Sequence, residues 1–223
     1  MATSGHYLNI CVMMSNYLPT SDICLNFTEL SGVINVVYKE PIERAISHIL
    51  SNGIGVSNVN DEVLSNTPDR VARAYAELFS GYGADVSKIL GRVFDDHNDE
   101  MVIVKDIPMY SMCEHHMLPF IGVVHIGYIP DGKILGISKF ARLVEVFARR
   151  LQLQERLTAQ VADAIMEHVM PQGVAIVIRA EHTCMTMRGI NKPGTQTVTS
   201  AMRGIFKEDA KTRAEFLGLI KGE

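Results

Sequence analysis

The sequence predicts an α+β domain in which helices cover one face of an antiparallel sheet. Three observations lead there. Two β-rich runs, 101–112 and 120–129, follow each other closely. Helical periodicity fills 138–169, and a nearly continuous β-branched stretch, 174–178, comes next. A further strand and a helix close the chain, so the order is helices, two strands, two helices, two strands, helix.

Each element has a local reason. A helix is expected from Glu40 and Pro41, with Pro in the first turn, to Leu50 ahead of Gly53. A second is expected to start at Thr67 and Pro68, a cap followed by Pro. Its apolar face is Val71, Ala72, Tyr75, Leu78 and Phe79, and it stops at Gly81. A short third helix falls at 85–93. Pro130, Asp131 and Gly132 are a turn signal after the second β-rich run. Ser138 is expected to cap a helix with Leu143, Val144, Val146, Phe147 and Leu151 on its buried face. Another helix runs from Glu155 to Val169 and ends at Pro171 and Gly173. The strand at 174–178 continues into 179–187, a last strand lies at 195–202 and a last helix at 212–220. Residues 1–36 show no clear periodicity and read as an N-terminal extension. Residues 37–100 read as a helical region, and 101–223 as the catalytic region.

Composition narrows the class. In 223 residues, 47% are hydrophobic and 21% charged, which is ordinary for a globular domain. The net charge of -4 gives no broad attraction to nucleic acid or to an acidic membrane, so an anionic ligand must meet a local cation cluster. No apolar run approaches the ~20 residues that span a bilayer. The four cysteines, Cys11, Cys24, Cys113 and Cys184, are too few and too scattered for a disulfide framework. A reduced, cytoplasmic setting is expected.

The densest chemistry lies in Cys113, Glu114, His115 and His116. Cys113 and His116 are three apart, so a straight strand would aim them to opposite faces, and both reach one ion only if the chain turns there. His115 is then left free. Glu181, His182, Thr183 and Cys184 continue a strand, and His182 and Cys184, two apart, are expected to share a side. Cys113, His116 and Cys184 make three N/S ligands, the number expected of a catalytic zinc with one open position. His115 and His182 remain for acid–base work. The competing reading is a set of buried core cysteines with satisfied histidines, which suits a lone Cys better than this group.

Gly136, Ile137, Ser138 and Lys139 open a helix, with Arg142 a turn later, and Arg188 follows Cys184 by four residues. A helix start with cations suits a phosphorylated substrate. A solvated helix start explains the segment equally well. Gln154 and Glu155 fall between two helices. Glu155 either offers a carboxylate to paired N–H donors, as on guanine, or simply favours a first helical turn. The residues alone leave both standing.

Over 40–220 these residues resemble the GTP cyclohydrolase I family. The resemblance rests on Thr67-Pro68-Asp69-Arg70-Val71-Ala72-Arg73, on Cys113-Glu114-His115-His116 and on Gly136 to Arg142. It extends to Gln154 to Thr158, His182-Thr183-Cys184 and Arg188-Gly189. It implies conversion of GTP and water to formate and 7,8-dihydroneopterin triphosphate, leading to folate or tetrahydrobiopterin. It implies Zn2+ on Cys113, His116 and Cys184, activating water for attack on C8, with His115 protonating N7 and His182 handling later proton transfers. Gln154 and Glu155 look like the purine-recognition pair. Ser138, Lys139, Arg142 and Arg188 look like triphosphate contacts, with Arg70 or Arg73 reaching in from a neighbouring subunit. The implied fold is the tunnelling fold, a ring of subunits with sites at their interfaces, as a decamer of two pentamers. Arg73 stands where Lys is also familiar, and the two are not equivalent phosphate partners. Neither a nucleic acid nor a membrane partner is implied.

Two other readings compete. A tunnelling-fold nitrile reductase uses a Cys nucleophile and a nicotinamide cofactor without metal; the paired His115 and His116 and the His182–Cys184 unit argue against it. A non-catalytic, zinc-stabilised assembly protein would leave its histidines dispensable.

Overall fold

A computed structural model describes residues 37–221, and the expected N-terminal extension lies outside the described residues. Helix α1 spans Lys39–His48, with Glu40 in its first turn paired to Arg44 at 3.0 Å, and runs into a wider turn over Ile49–Gly53. Helix α2 spans Asp61–Leu78 and so begins a turn and a half before the expected Thr67. Asn60 is the true cap: its Oδ1 accepts from the Val63 N–H at 3.0 Å, and Asp61 and Glu62 add favourable charge in the first turn. Pro68 therefore sits inside the helix, buried, where its missing N–H leaves one ladder bond unmade.

Helix α3 is Val86–Leu90, and strand β1, Val93–Asp95, follows. Strand β2 is Val102–Cys113 and β3 is Pro119–Ile129, paired antiparallel. Strand β4, Lys133–Leu135, pairs with β1 in a small separate ribbon. Helix α4 is Ser138–Ala148. Ser138 is not its cap: Ile137 is, and no side chain caps this end. Leu151, expected on that helix, lies instead in β5, Leu151–Gln152, which pairs parallel with β2 at Met112 and Cys113. Helix α5 is Gln154–Val169 and ends where Met170 turns left-handed, φ 52°.

Strand β6 is Gly173–His182. A single helical turn, α6, Thr183–Thr186, replaces the expected strand continuation. Strand β7 is Gln196–Gly204, followed by α7, Ile205–Glu208, and α8, Ala210–Lys221. The main sheet has the order β5-β2-β3-β6-β7.

Strand alternation decides what each face buries. Phe120, Val124, Ile126 and Tyr128 of β3, with Val174, Ile176 and Ile178 of β6, face Leu143, Phe147, Leu157, Val161 and Ile165 of α4 and α5. This is the expected helix-covered face. The alternate residues Ile129, Ala175 and Val177 form a second, smaller core with Phe206, Phe216 and Ile220, so α7 and α8 lie on the opposite face.

A bulge between Val104 and Ile107 sets which residues of β2 face the core. Asp106, at φ 59°, inserts an extra residue, so Val104 before it and Ile107, Met109 and Cys113 after it all face the same core. Without that shift, alternation would turn Cys113 away from the helices.

Candidate active site

The metal-ligand turn is the β2–β3 connection. Cys113 accepts at its carbonyl from the Met117 N–H (2.9 Å) and donates its own N–H to Leu118 O (2.9 Å). Met117, at φ 52°, completes the reversal that brings His116 back over Cys113. Pairing with β5 fixes the other side, because Glu114 N donates to Gln152 O at 3.1 Å. Cys113 Sγ and His116 Nδ1 are 3.8 Å apart.

Cys184 arrives differently from the sequence expectation. His182 is the last residue of β6, and Cys184 sits in α6, so the two are not successive same-side residues of one strand. The turn is pinned where Thr183 Oγ1 donates to Pro119 O at 2.6 Å, next to the metal-ligand loop. One ligand atom each from Cys113, His116 and Cys184 lies within 4.8 Å of the others, so the group can hold a metal ion. Burial pushes the Cys184 thiol up, and the neighbouring Cys113 sulfur adds to the effect against the opposing charge of Arg188. A cation bound between them would hold both as thiolates.

The two remaining histidines flank this group. His115 is exposed, its ring 6.2 Å from that of His116 and nearly perpendicular to it. His182 stacks flat on buried Phe120, with centroids 4.5 Å apart and planes 4° from parallel. Phe120 and His182 are also cross-strand partners, so sheet register and stacking fix the same ring. Burial lowers the His182 pKa, and nearby Glu155 opposes that.

Glu155 is exposed in the first turn of α5, while Gln154 beside it is buried, 1% exposed. The Gln154 amide is engaged within the protein: Oε1 meets His182 Nε2 at 2.8 Å, and Nε2 faces Ile178 O, Thr197 O and Thr199 Oγ1.

The cations divide. Arg188 lies close enough to act on Cys184, and it is exposed. Ser138 is exposed on the first turn of α4, and Lys139 Nζ donates to Ile89 O. Arg142 lines a cavity of ≈ 270 Å³ with Ser80, Ala84, Ile89 and Glu145, a lining without any of the metal ligands. Arg70 pairs with Glu62 at 2.7 Å and Arg73 with Asp69 at 2.9 Å, all on the exposed face of α2. A single chain thus gathers the metal group, His182, Gln154 and Glu155, whereas the α2 and α4 cations make their contacts elsewhere.

One pair had no signal in spacing or composition. Arg156 donates to both carboxylate oxygens of Glu114, at 2.6 and 3.0 Å, and ties the metal-ligand loop to the first turn of α5. This hydrogen bonding holds Glu114 below the usual carboxylate range.

The family model for GTP cyclohydrolase I matches residues 42–221. The "GTP cyclohydrolase 1" of Thermoanaerobacter pseudethanolicus is 56% identical over 189 residues, covering 84% of this chain and 100% of that protein. Its counterpart in Carboxydothermus hydrogenoformans is 58% identical over 186 residues, covering 83% and 96%. That of Thermobifida fusca is 56% identical over 183 residues, covering 81% and 87%. Among solved structures, an archaeosine synthase QueF-Like in the apo form matches 47% of this chain at 22% identity and a TM-score of 0.40, too distant to bear on function. With the Cys113–His116–Cys184 group, His115, His182 and Glu155 inside the matched span, the chain belongs to the GTP cyclohydrolase I family.

Proposed function

We propose that this chain opens the guanine imidazole ring of GTP at a zinc site built on Cys113, His116 and Cys184. Family membership makes it an enzyme of the GTP cyclohydrolase I type, releasing C8 as formate and closing the ring to 7,8-dihydroneopterin triphosphate. The observation that carries the zinc reading is the donor set itself: two sulfurs and one imidazole, with ligand atoms within 4.8 Å of one another. Tetrahedral bonds of about 2.3 Å to sulfur and 2.0 Å to nitrogen place such donors roughly 3.5–3.8 Å apart. The 3.8 Å between Cys113 Sγ and His116 Nδ1 lies close to the ~3.5 Å of a tetrahedral sulfur–nitrogen pair. A zinc ion bound there supplies activation of water at neutral pH.

The protein's own groups do the rest. His115, exposed beside His116, holds the proton for guanine N7, and His182 moves protons during ring opening and the later rearrangement. Glu155 accepts from the paired N–H donors on the guanine edge. Its neighbour Gln154 belongs to the base pocket, but its side-chain amide is already engaged by His182 and β6–β7. Arg188, Ser138, Lys139 and Arg142 hold the triphosphate, with Arg70 or Arg73 coming from an adjacent subunit.

The division of cations supports sites completed between subunits, in a ring that pairs as a decamer of two pentamers. Two surface features favour such assembly. Tyr110 and Ile121 form an exposed apolar cross-strand pair, 52% and 46% accessible. β7 pairs only with β6 among the described residues, which leaves an open edge. No described helix is long and apolar enough to cross a membrane, and the reading places the enzyme in the cytoplasm. Residues 1–36 are read as an appended extension, 37–100 as a helical region and 101–223 as the catalytic region.

The test is incubation of the zinc-loaded protein with GTP, following formate and the fluorescence of the oxidised neopterin product. Absence of both from intact, zinc-replete oligomers would overturn the reading. His115→Ala should abolish turnover while zinc stays bound.

A further inference from the structure

We infer that Gln154 is a positioning residue that fixes the tautomer of His182. In this role it holds a hydrogen on Nε2 and leaves Nδ1 as the basic nitrogen. The inference rests on the reading of His182 as a proton-transfer group.

The argument is one of donors and acceptors around a closed ring. Thr158 Oγ1 lies 2.6 Å from Gln154 O, a carbonyl that only accepts, so the Thr158 hydroxyl proton points there. Thr158 and Thr199 hydroxyls are 2.7 Å apart. With the Thr158 proton committed, Thr199 must donate to Thr158. Thr199 Oγ1 is then left to accept from the third partner, the Gln154 side-chain amide at 3.1 Å. The atom facing it must be the NH2 group, and the same atom faces two backbone carbonyls, Ile178 O at 3.2 Å and Thr197 O at 3.1 Å. A flipped amide would set oxygen against both carbonyls, so the orientation is determined by the network.

Gln154 Oε1 consequently points at His182 Nε2, 2.8 Å away. An amide oxygen cannot donate, so the hydrogen in that contact belongs to the imidazole. In the neutral ring Nδ1 then carries the lone pair. Stacking on Phe120 holds the ring plane while Gln154 holds its rotation. Gln154 is 1% exposed, Phe120 is fully buried, and Thr158 is 1% exposed. The Gln154 amide and both threonine hydroxyls are all paired, and an unpaired buried one would be costly, so the network holds its arrangement.

Two measurements decide the inference. In the zinc-loaded full chain with 15N-labelled histidine, two-bond proton–nitrogen correlations should show His182 protonated at Nε2, assigned by the signal missing from His182→Gln. Protonation at Nδ1 in the neutral ring overturns the inference. Second, Gln154→Met should lower kcat for GTP by at least about tenfold, up to the ~10²–10⁴ that a positioned acid–base group is worth, with KM changed far less. In a His182→Ala background the same substitution should cost almost nothing more, because the residue acts through His182. A raised KM at unchanged kcat, or an equal loss in both backgrounds, would show instead a direct contact to the base and overturn the inference. The nitrogen correlations need no variant of Gln154, so a misfolded Gln154→Met leaves the question decidable. If the wild-type chain failed to turn over GTP, the functional reading would fall while the tautomer result stood on its own.

Discussion

Arg156 grips Glu114 through both terminal guanidinium nitrogens, at 2.6 and 3.0 Å, across 42 residues of sequence. Glu114 lies between Cys113 and His115, and Arg156 follows Glu155, so the pair fixes the β2–β3 loop against the first turn of α5. Arg156→Ala should therefore weaken zinc retention and turnover together, by about 10-fold, in the range seen when a partner orienting a metal ligand is lost. Arg156→Lys should recover only part of this, since an ammonium cannot form the two-pronged contact. Zinc content after dialysis against a graded chelator, beside GTP turnover, checks it. Unchanged zinc retention in Arg156→Ala would refute the coupling.

Metal removal should expose thiols. Cys113 and Cys184 are each other's neighbours in the ligand group, and metal binding takes thiolates out of reach of reagents. Stripping zinc from zinc-loaded protein should raise the thiols reactive toward a disulfide reagent by about two per chain and abolish turnover. Returning zinc should reverse both effects. In Cys184→Ser the stripped and loaded forms should differ little.

Acid should destabilise the fold through His125. This imidazole is 1% exposed, accepts from Asp106 N at 3.2 Å through Nδ1, and has no partner at Nε2. Burial lowers its pKa, Arg179 and Lys105 push the same way, and Asp106 opposes. The unfolded chain thus takes up the proton first. Its bound protons exceed those of the native state as pH falls through about 6.5, and stability declines below that value. The Tm of wild type should drop between pH 7 and pH 5 more steeply than that of His125→Asn, which keeps an acceptor for Asp106 N–H. Parallel curves for the two proteins would contradict it.

The second core should be intolerant of one methyl group. A Cβ on Gly127 would stand 2.6 and 2.8 Å from ring carbons of Phe216. Gly127→Ala should cost about 1–3 kcal/mol by overpacking. Phe216→Ala should cost about 3–5 kcal/mol by leaving a cavity. Combined as Gly127→Ala with Phe216→Ala, the loss should be smaller than the two single losses added, because the truncated ring yields the space. Denaturant midpoints at one fixed chain concentration measure all of these, and strict additivity would argue against the contact.

Much of the site was legible in the residues because its chemistry is concentrated. A Cys–x2–His pair demands a chain reversal, and the structure supplies it between β2 and β3, with Met117 left-handed and Pro119 opening the next strand. The long apolar runs became β2, β3, β6, α4 and α5, because burial of one face forces a period and the period is written in the sequence. Local rules failed where two of them competed. Thr67 and Pro68 look like a helix start, yet Asn60 offered a better cap with acids behind it, and the helix ran through the proline. His182 and Cys184 look like one strand, yet the Thr183 hydroxyl finds Pro119 O and the strand ends.

By itself, then, the sequence determined the donor types: two thiols and an imidazole for a metal, two spare histidines, and a carboxylate at a helix start. Those identities follow from side-chain chemistry and survive any arrangement that gathers them. Tertiary structure alone decided which groups are free. It committed the Gln154 amide to His182 and the β6–β7 backbone, gave Glu114 to Arg156, and used the bulge at Asp106 to turn Cys113 inward. The physical reason is that hydrogen-bond partners and strand faces depend on contacts between residues distant in the chain, which no local pattern encodes.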